Sequence, residues 1–204
     1  MISIVDYGVG NIRAAANIYK RLNIPVEIAS TPKQLLQADR AILPGVGSFD
    51  WTITRLNNSG LRDALDEIVL LKRTPVLGIC VGMQMMAKRS DEGCEPGLGW
   101  VDAEVRKFSP NTSHPPLLLP HMGWNDVEPR AQNGLFKNIG KDSRFYFLHS
   151  YYFAPTSHDA VLAVTEYGVS FASSICQDNV YGVQFHPEKS HQWGIQLLKN
   201  FAEL

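Results

Sequence analysis

The sequence predicts an α/β fold, an open and mostly parallel mixed sheet with helices on both faces. Three observations carry this. The first half of the chain alternates strand and helix signals, the pattern of βαβ units. The second half is a series of strand-like runs with few helical patterns between them, and the chain closes on one more helical stretch. With 204 residues, 45% of them hydrophobic and 19% charged, the chain suffices for one domain spanning 1–204 with a buried core.

Taken in order, Ser3 to Asp6 is a short strand, followed by a Gly-rich turn and a helix over Ile12 to Leu22. Val26 to Ala29 is strand-like and Lys33 to Ala38 helical. Arg40 to Leu43 is a strand ending in Pro44-Gly45-Val46-Gly47. An amphipathic helix covers Leu61 to Lys72. Val76 to Ile79 is the next strand, with the helix-like MQMMAKRS close behind it. The runs VDAEVRKF, LLLPHMGWNDV, RFYFLHSYYF, AVLAVTEY, VSFASSIC and VYGVQF then read as strands and predict antiparallel additions to the sheet. Trp193 to Ala202 is the closing helix. Open α/β sheets place ligands at the carboxyl ends of their parallel strands. Cys80 and the Pro44 to Gly47 loop both fall at such ends.

The formal net charge is -1, from 19 basic and 20 acidic residues, with no basic run or stripe. Nucleic acid and an anionic membrane are therefore poor partners. The start, MISIVDYGVG, has no signal-peptide pattern, and no stretch approaches the roughly 18 to 20 apolar residues of a membrane span. The expected compartment is the cytoplasm. Three cysteines without framework spacing argue against a disulfide scaffold, and the lack of a C-x-x-C pair argues against zinc. Neither metal nor cofactor is expected. Cys94, in the polar SDEGCEPG, reads as exposed; Cys176, ending SFASSIC, reads as packing.

Cys80 has a different setting. Gly78-Ile79-Cys80-Val81-Gly82 between a strand and a helix is a nucleophile elbow with Cys in place of Ser. The glycines allow a sharp turn, and the free N–H groups of the following helix favour a thiolate. The competing reading is a buried structural cysteine ahead of a Met-rich core helix; the two flanking glycines weigh against it.

Such a cysteine needs a base, and the base an orienting group. Of six histidines, His114 and His158 lie in Pro/Ser-rich turns and read as surface residues. His191 reads as the polar edge of the last helix, and His121 and His149 as satisfied core histidines. His186 follows the apolar strand VYGVQF, and Pro187 ends that strand. Glu188 is placed to accept from the imidazole and stabilise its charged form. Oxyanion donors complete an acyl-transfer site. The Val81 N–H is one; Val46 and Gly47, in a loop free to present or withdraw an N–H, offer the second. An ordinary strand-to-helix turn is the alternative for that loop.

These pieces, Gly78 to Gln84, His186-Pro187-Glu188-Lys189 and Pro44 to Gly47, resemble class I (triad-type) glutamine amidotransferase domains. Asp6-Tyr7-Gly8-Val9-Gly10-Asn11, Pro120-His121-Met122-Gly123-Trp124-Asn125 and Phe145 to Tyr151 are similar to the branch of that family serving histidine biosynthesis. The resemblance runs from Asp6 to the final helix, with the motifs in family order. It implies a flavodoxin-like core and hydrolysis of L-glutamine through a γ-glutamyl thioester on Cys80, with His186 moving the proton and Glu188 orienting it. By matched positions it implies that Gln84 binds the glutamine and Gly47 lines the same pocket, that Glu92 pairs with the α-amino group, and that the backbone at Ser150 and Tyr151 holds the α-carboxylate. A solvated charge in SDEG is the alternative for Glu92.

The resemblance further implies a heterodimer with a (β/α)8-barrel synthase subunit that receives the ammonia. Trp124, Asn125, Tyr146 and Lys189 match positions near that interface; Trp124 and Tyr146 also fit as core aromatics. In this family the Pro44 to Gly47 loop is thought to complete the oxyanion hole only when the partner is engaged. Val81 departs from the family's more usual Leu. FLHSYYF and the tone of residues 80 to 108 are similar to a paralogous branch that supplies ammonia to surface-polysaccharide sugars. A stand-alone cysteine hydrolase would leave Pro120 to Asn125 and Glu92 unexplained, and the complete Cys80, His186, Glu188 set disfavours a non-catalytic subunit.

Overall fold

A computed structural model describes residues 1–109, 116–131, 134–140 and 142–204; His114 lies outside them. Four parallel strands open the main sheet: β1 (Ile2–Val5), β2 (Val26–Ala29), β3 (Arg40–Gly45) and β4 (Val76–Cys80). β13 (Val180–Val183) joins parallel to β4. β12 (Val169–Gln177), β11 (Val161–Tyr167) and β8 (Glu128–Pro129) extend the sheet antiparallel, giving the order β2-β1-β3-β4-β13-β12-β11-β8. The strands at the centre are buried on both faces, which is why VLGIC and VYGV read as apolar runs without alternation.

Helices cover both faces. α1 (Ile12–Arg21) packs with α6 (His191–Glu203), and α2 (Pro32–Leu35) with α4 (Arg62–Asp66). α4 continues into a π-helical turn over Glu67–Leu71, so the expected helix at Leu61 to Lys72 is present but not uniform. α3 (Phe49–Asn58) has no counterpart in the sequence reading. Its buried positions Phe49, Thr52, Ile53 and Leu56 do follow helical spacing; Trp51, Thr52, Ile53 and Thr54 mask it with residues that favour strands.

Two expectations are corrected. MQMMAKRS is not a helix: α5 (Val81–Gln84) ends after four residues, and Arg89–Ser90 forms the short strand β5. The chain at 97–101 explains this. Leu98, Val101, Gly99 and Gly97 donate their N–H groups to the carbonyls of Met85, Met86, Ala87 and Lys88, partners that a continuing helix would have supplied. The late strands are also not all additions to the main sheet. β6 (Ala103–Lys107) and β10 (Tyr151–Pro155) join β5 in a separate three-stranded sheet. β7 (His121–Asp126) and β9 (Arg144–His149) form an antiparallel ribbon of their own.

Candidate active site

The register of β3, β4 and β13 sets the site. Gly45 pairs with Cys80 and Val183 with Ile79. Three neighbouring strands thus end together, delivering the Val46–Gly47 loop, the Cys80 thiol and the His186 imidazole to one edge. These residues line a cleft of about 310 Å³ with Val81, Gln84, Glu92, Pro120, Leu148 to Tyr151 and Lys189.

The elbow turns on the cysteine itself. Cys80 has φ 56° and ψ −114°, a conformation that side-chain-bearing residues rarely adopt. Gly78 and Gly82 contribute space rather than turn. A Cβ on Gly82 would sit 2.0 Å from the Leu43 carbonyl oxygen, and one on Gly78 would sit 2.7 Å from Gly82 and Met83 backbone atoms. Their absence lets α5 press against β3 and β4. Because α5 is one short turn, its dipole is a smaller aid to a thiolate than a long helix would be.

Cys80 is only 3% exposed. Its sulfur lies 3.9 Å from the Leu148 carbonyl oxygen and accepts from Gln184 Nε2 at 3.8 Å. His186 Nδ1 is 2.9 Å from Glu188 Oε1, both side chains being almost fully covered. Burial of the His186 ring opposes its charged form. Hydrogen bonding to Cys80 and Glu188, with the negative charge each brings, outweighs that and pushes its pKa up to about 10. The arrangement favours an imidazolium facing sulfur, with the carboxylate behind it.

The loop opposite the sulfur is held from three sides. The Tyr7 hydroxyl donates to the Pro44 carbonyl. Gly10 leaves room for the Pro44 ring, which a Cβ there would meet at 2.5 Å. The Thr52 hydroxyl shares its hydrogen between the Ser48 carbonyl at 2.8 Å and the Val46 carbonyl at 3.0 Å. Gly47, at φ 89°, occupies the region that favours glycine. The early Asp6 to Asn11 motif therefore serves the loop rather than the sulfur.

Gln84 Nε2 donates to the Tyr151 carbonyl and to Gln184 Oε1, each at 3.0 Å. Phe108 N–H bonds the Ser150 carbonyl, which makes Tyr151 opposite Lys107 a non-hydrogen-bonded rung. Tyr151 therefore turns both its N–H and its C=O away from β6. Glu92 Oε2 accepts from Phe49 N–H at 2.8 Å, capping α3, while Asp50 grips the next loop through Cys94 and Glu95 N–H groups at 2.9 and 3.1 Å.

The β7–β9 ribbon borders the cleft. Met122, Trp124, Tyr146 and Leu148 alternate onto its outer face, where Met122 is 65% and Trp124 45% exposed. Lys189 Nζ lies 5.5 Å above the Tyr146 ring, and the His191 ring stacks on Trp124 at 5.1 Å. Asn125 turns its carboxamide inward, to His121 and to the Glu166 carbonyl. Cys94 is exposed, and Cys176 is partly covered, burial pushing its thiol up. His158 is exposed, as expected.

Gln184 was missed by sequence reasoning, although a buried polar residue two positions before His186 on an apolar strand end was a usable signal. Among the described residues no group of three or more His, Cys, Asp or Glu side chains could hold a metal ion, and no helix is long and apolar enough to cross a membrane.

Residues 3–204 match the family described as glutamine amidotransferase class-I. Among similar proteins, "Imidazole glycerol phosphate synthase subunit HisH" of Bdellovibrio bacteriovorus is 55% identical over 204 residues, covering all of both chains. The protein of the same name in Leptospira interrogans is 48% identical, again over the full length of both. A solved glutamine amidotransferase superposes with a TM-score of 0.75 at 21% identity over the whole of both chains. PurLQS of Thermotoga maritima gives 0.73 at 15% identity, over 99% of this chain and 97% of that one. At those identities the structural likeness concerns the fold alone.

Proposed function

The chain belongs to the class-I glutamine amidotransferase family, and from that premise we infer that it works as the glutaminase subunit of an imidazole glycerol phosphate synthase in histidine biosynthesis. The whole chain acts as one glutamine amidotransferase domain. One observation carries the chemistry: Cys80 and His186 line a single cleft at the ends of adjacent parallel strands, with Glu188 2.9 Å behind the imidazole. The pathway rests on relatives that match at full length.

In this reading Cys80 Sγ attacks the side-chain amide carbon of glutamine. The C=O electrons move to oxygen, where the Val81 N–H and an N–H of the Val46–Gly47 loop stabilise the oxyanion. The oxyanion collapses, the C–N bond breaks, and His186 protonates the departing nitrogen, leaving ammonia and a thioester. Water, deprotonated by His186, then attacks the thioester and releases glutamate and the thiol. Glu188 keeps the imidazole oriented throughout. Gly47 lines the pocket; Gln84 holds the Tyr151 carbonyl in place; Glu92 binds the α-amino group; the Ser150 and Tyr151 backbone binds the α-carboxylate.

The partner is a (β/α)8-barrel synthase subunit that docks on the outer face of the β7–β9 ribbon, contacting Trp124, Tyr146 and Lys189 with Asn125 behind them. The exposed apolar side chains beside the cleft support this, since an unpaired patch of that kind marks an interaction site. The compartment is the cytoplasm, where three free thiols stay reduced.

Glutamate release from glutamine tests the reading, measured for the chain alone and with the barrel subunit carrying its nucleotide ligand. Weak basal turnover, strong stimulation and no turnover for Cys80→Ala are expected. Equal turnover with and without the barrel overturns the coupled mechanism.

A further inference from the structure

Two buried histidines that this chemistry does not use face inward from one end of the ribbon, where they pair across its two strands. His149 Nδ1 is 2.7 Å from the Tyr151 carbonyl oxygen, and its Nε2 is 3.0 Å from His121 Nδ1. His121 Nε2 is 3.2 Å from Asn125 Nδ2.

Every proton in this row is assigned by its ends. A carbonyl only accepts, so His149 Nδ1 carries the hydrogen. In a neutral ring His149 Nε2 is then an acceptor, and His121 Nδ1 must donate to it. That leaves His121 Nε2 to accept from Asn125. At the far end, Asn125 Oδ1 accepts from Asp126 N–H at 2.8 Å and Nδ2 donates to the Glu166 carbonyl at 3.0 Å, which fixes the amide the same way round. Burial keeps both rings neutral, lowering His121 to about 4 and His149 to about 3. The His121 ring is clamped between Tyr167 at 3.9 Å and Phe147 at 4.7 Å, so its orientation is not free to change.

The receiving carbonyl also accepts from Gln84. Both its lone pairs are therefore engaged, which fixes the Tyr151–Tyr152 peptide; this is joined at the Tyr151 Cα to the Ser150–Tyr151 peptide, whose N–H turns away from β6. We propose that His121 and His149 are positioning residues: a one-directional hydrogen-bond chain from Asn125 through His121 and His149 to the Tyr151 carbonyl sets the Ser150–Tyr151 backbone for the glutamine carboxylate and ties it to the docking ribbon. This rests on the glutaminase reading for its ligand, but not for its proton arrangement.

Two measurements test it. Nitrogen-15 NMR of the imidazoles in the full chain, near pH 7, is expected to find both rings neutral with the hydrogen on Nδ1. A hydrogen on Nε2 of His149 overturns the proposal, whether or not the protein turns over glutamine. In kinetics, His121→Phe keeps the stacked ring and removes the donor. It is expected to raise the glutamine KM about tenfold, the scale of one lost buried hydrogen bond, with a much smaller change in kcat. His121→Asn, which restores an N–H near the Nδ1 position, is expected to recover most of that loss. An unchanged KM in His121→Phe, or a rise that Asn does not reverse, overturns it. Absence of glutamate release from the wild-type complex would instead fault the glutaminase reading, and the NMR result would still decide the chain.

Discussion

His186 hangs from Tyr146: its backbone N–H donates to the Tyr146 carbonyl at 2.8 Å, and the Tyr146 N–H donates to Ser190 Oγ at 3.0 Å. Ser190 Oγ in turn donates to the His186 carbonyl at 2.6 Å. The strand whose outer face carries Tyr146 and the loop that carries His186 are thus one hydrogen-bonded unit. On the proposed docking, a partner pressing on the ribbon would act on His186 without touching it.

Trp124→Ala is expected to weaken barrel binding by about 10- to 100-fold, the range for a large aromatic at the centre of an interface. Titrating the barrel subunit against stimulated glutamate release reads this directly. An unchanged half-saturation point would place docking elsewhere.

Glu188→Gln removes one of the charges that hold His186 as an imidazolium. The kcat for glutamate release is expected to fall about 10²- to 10⁴-fold, as for other triads that lose their carboxylate. Because Glu188 helps to raise the His186 pKa, the alkaline limb of the pH–rate profile should move to lower pH in the variant. A limb that stays in place would show that Glu188 does not set the imidazole's charge.

Gly82→Ala is expected to destabilise the fold by on the order of 3 kcal/mol, since its Cβ would enter the Leu43 carbonyl and backbone has nowhere to go. Gly140→Ala is the control, because among the described residues a Cβ there meets nothing within 4 Å. Denaturant midpoints for the pair measure the contrast; equal midpoints would contradict the close packing of α5 on β3.

Stability should depend on pH with opposite slopes on either side of pH 6.5, the ordinary histidine value. His186, raised to about 10, binds more protons folded than unfolded; its contribution is complete below 6.5 and is lost as pH climbs through about 10. His121 and His149, lowered to about 4 and about 3, bind fewer; their contribution is complete above 6.5 and declines as pH falls toward those values. In thermal melts, His121→Phe is expected to gain on the wild type as pH drops from about 6.5 to 4, and to keep a constant difference above it. A difference that does not vary across that window would mean the ring titrates normally.

Much of the site was legible because its signals are local. The elbow, the strand-ending Pro187 with Glu188 after it, and the glycines at 45 and 47 each announce a backbone requirement within a few residues. α3 was not legible, because strand-favouring residues obscure its helical spacing. The end of α5 was not either, because the carbonyls just beyond it, at residues 85–88, are taken by N–H groups at 97–101 that arrive through a loop. His121 and His149 read correctly as satisfied and buried, yet nothing in their neighbours along the chain says that each satisfies the other.

By itself the sequence determined which groups could carry chemistry and where the backbone had to bend around them, since a turn's demand for glycine or proline is settled by the residues of the turn. Only the tertiary structure decided that β13 lies parallel beside β4, that the β7–β9 ribbon stands apart from the main sheet, and that Tyr7, Thr52 and Gln84 each clamp a carbonyl lining the cleft or leading to it. Those outcomes depend on hydrogen bonds and packing between segments far apart in the chain, which no local pattern encodes.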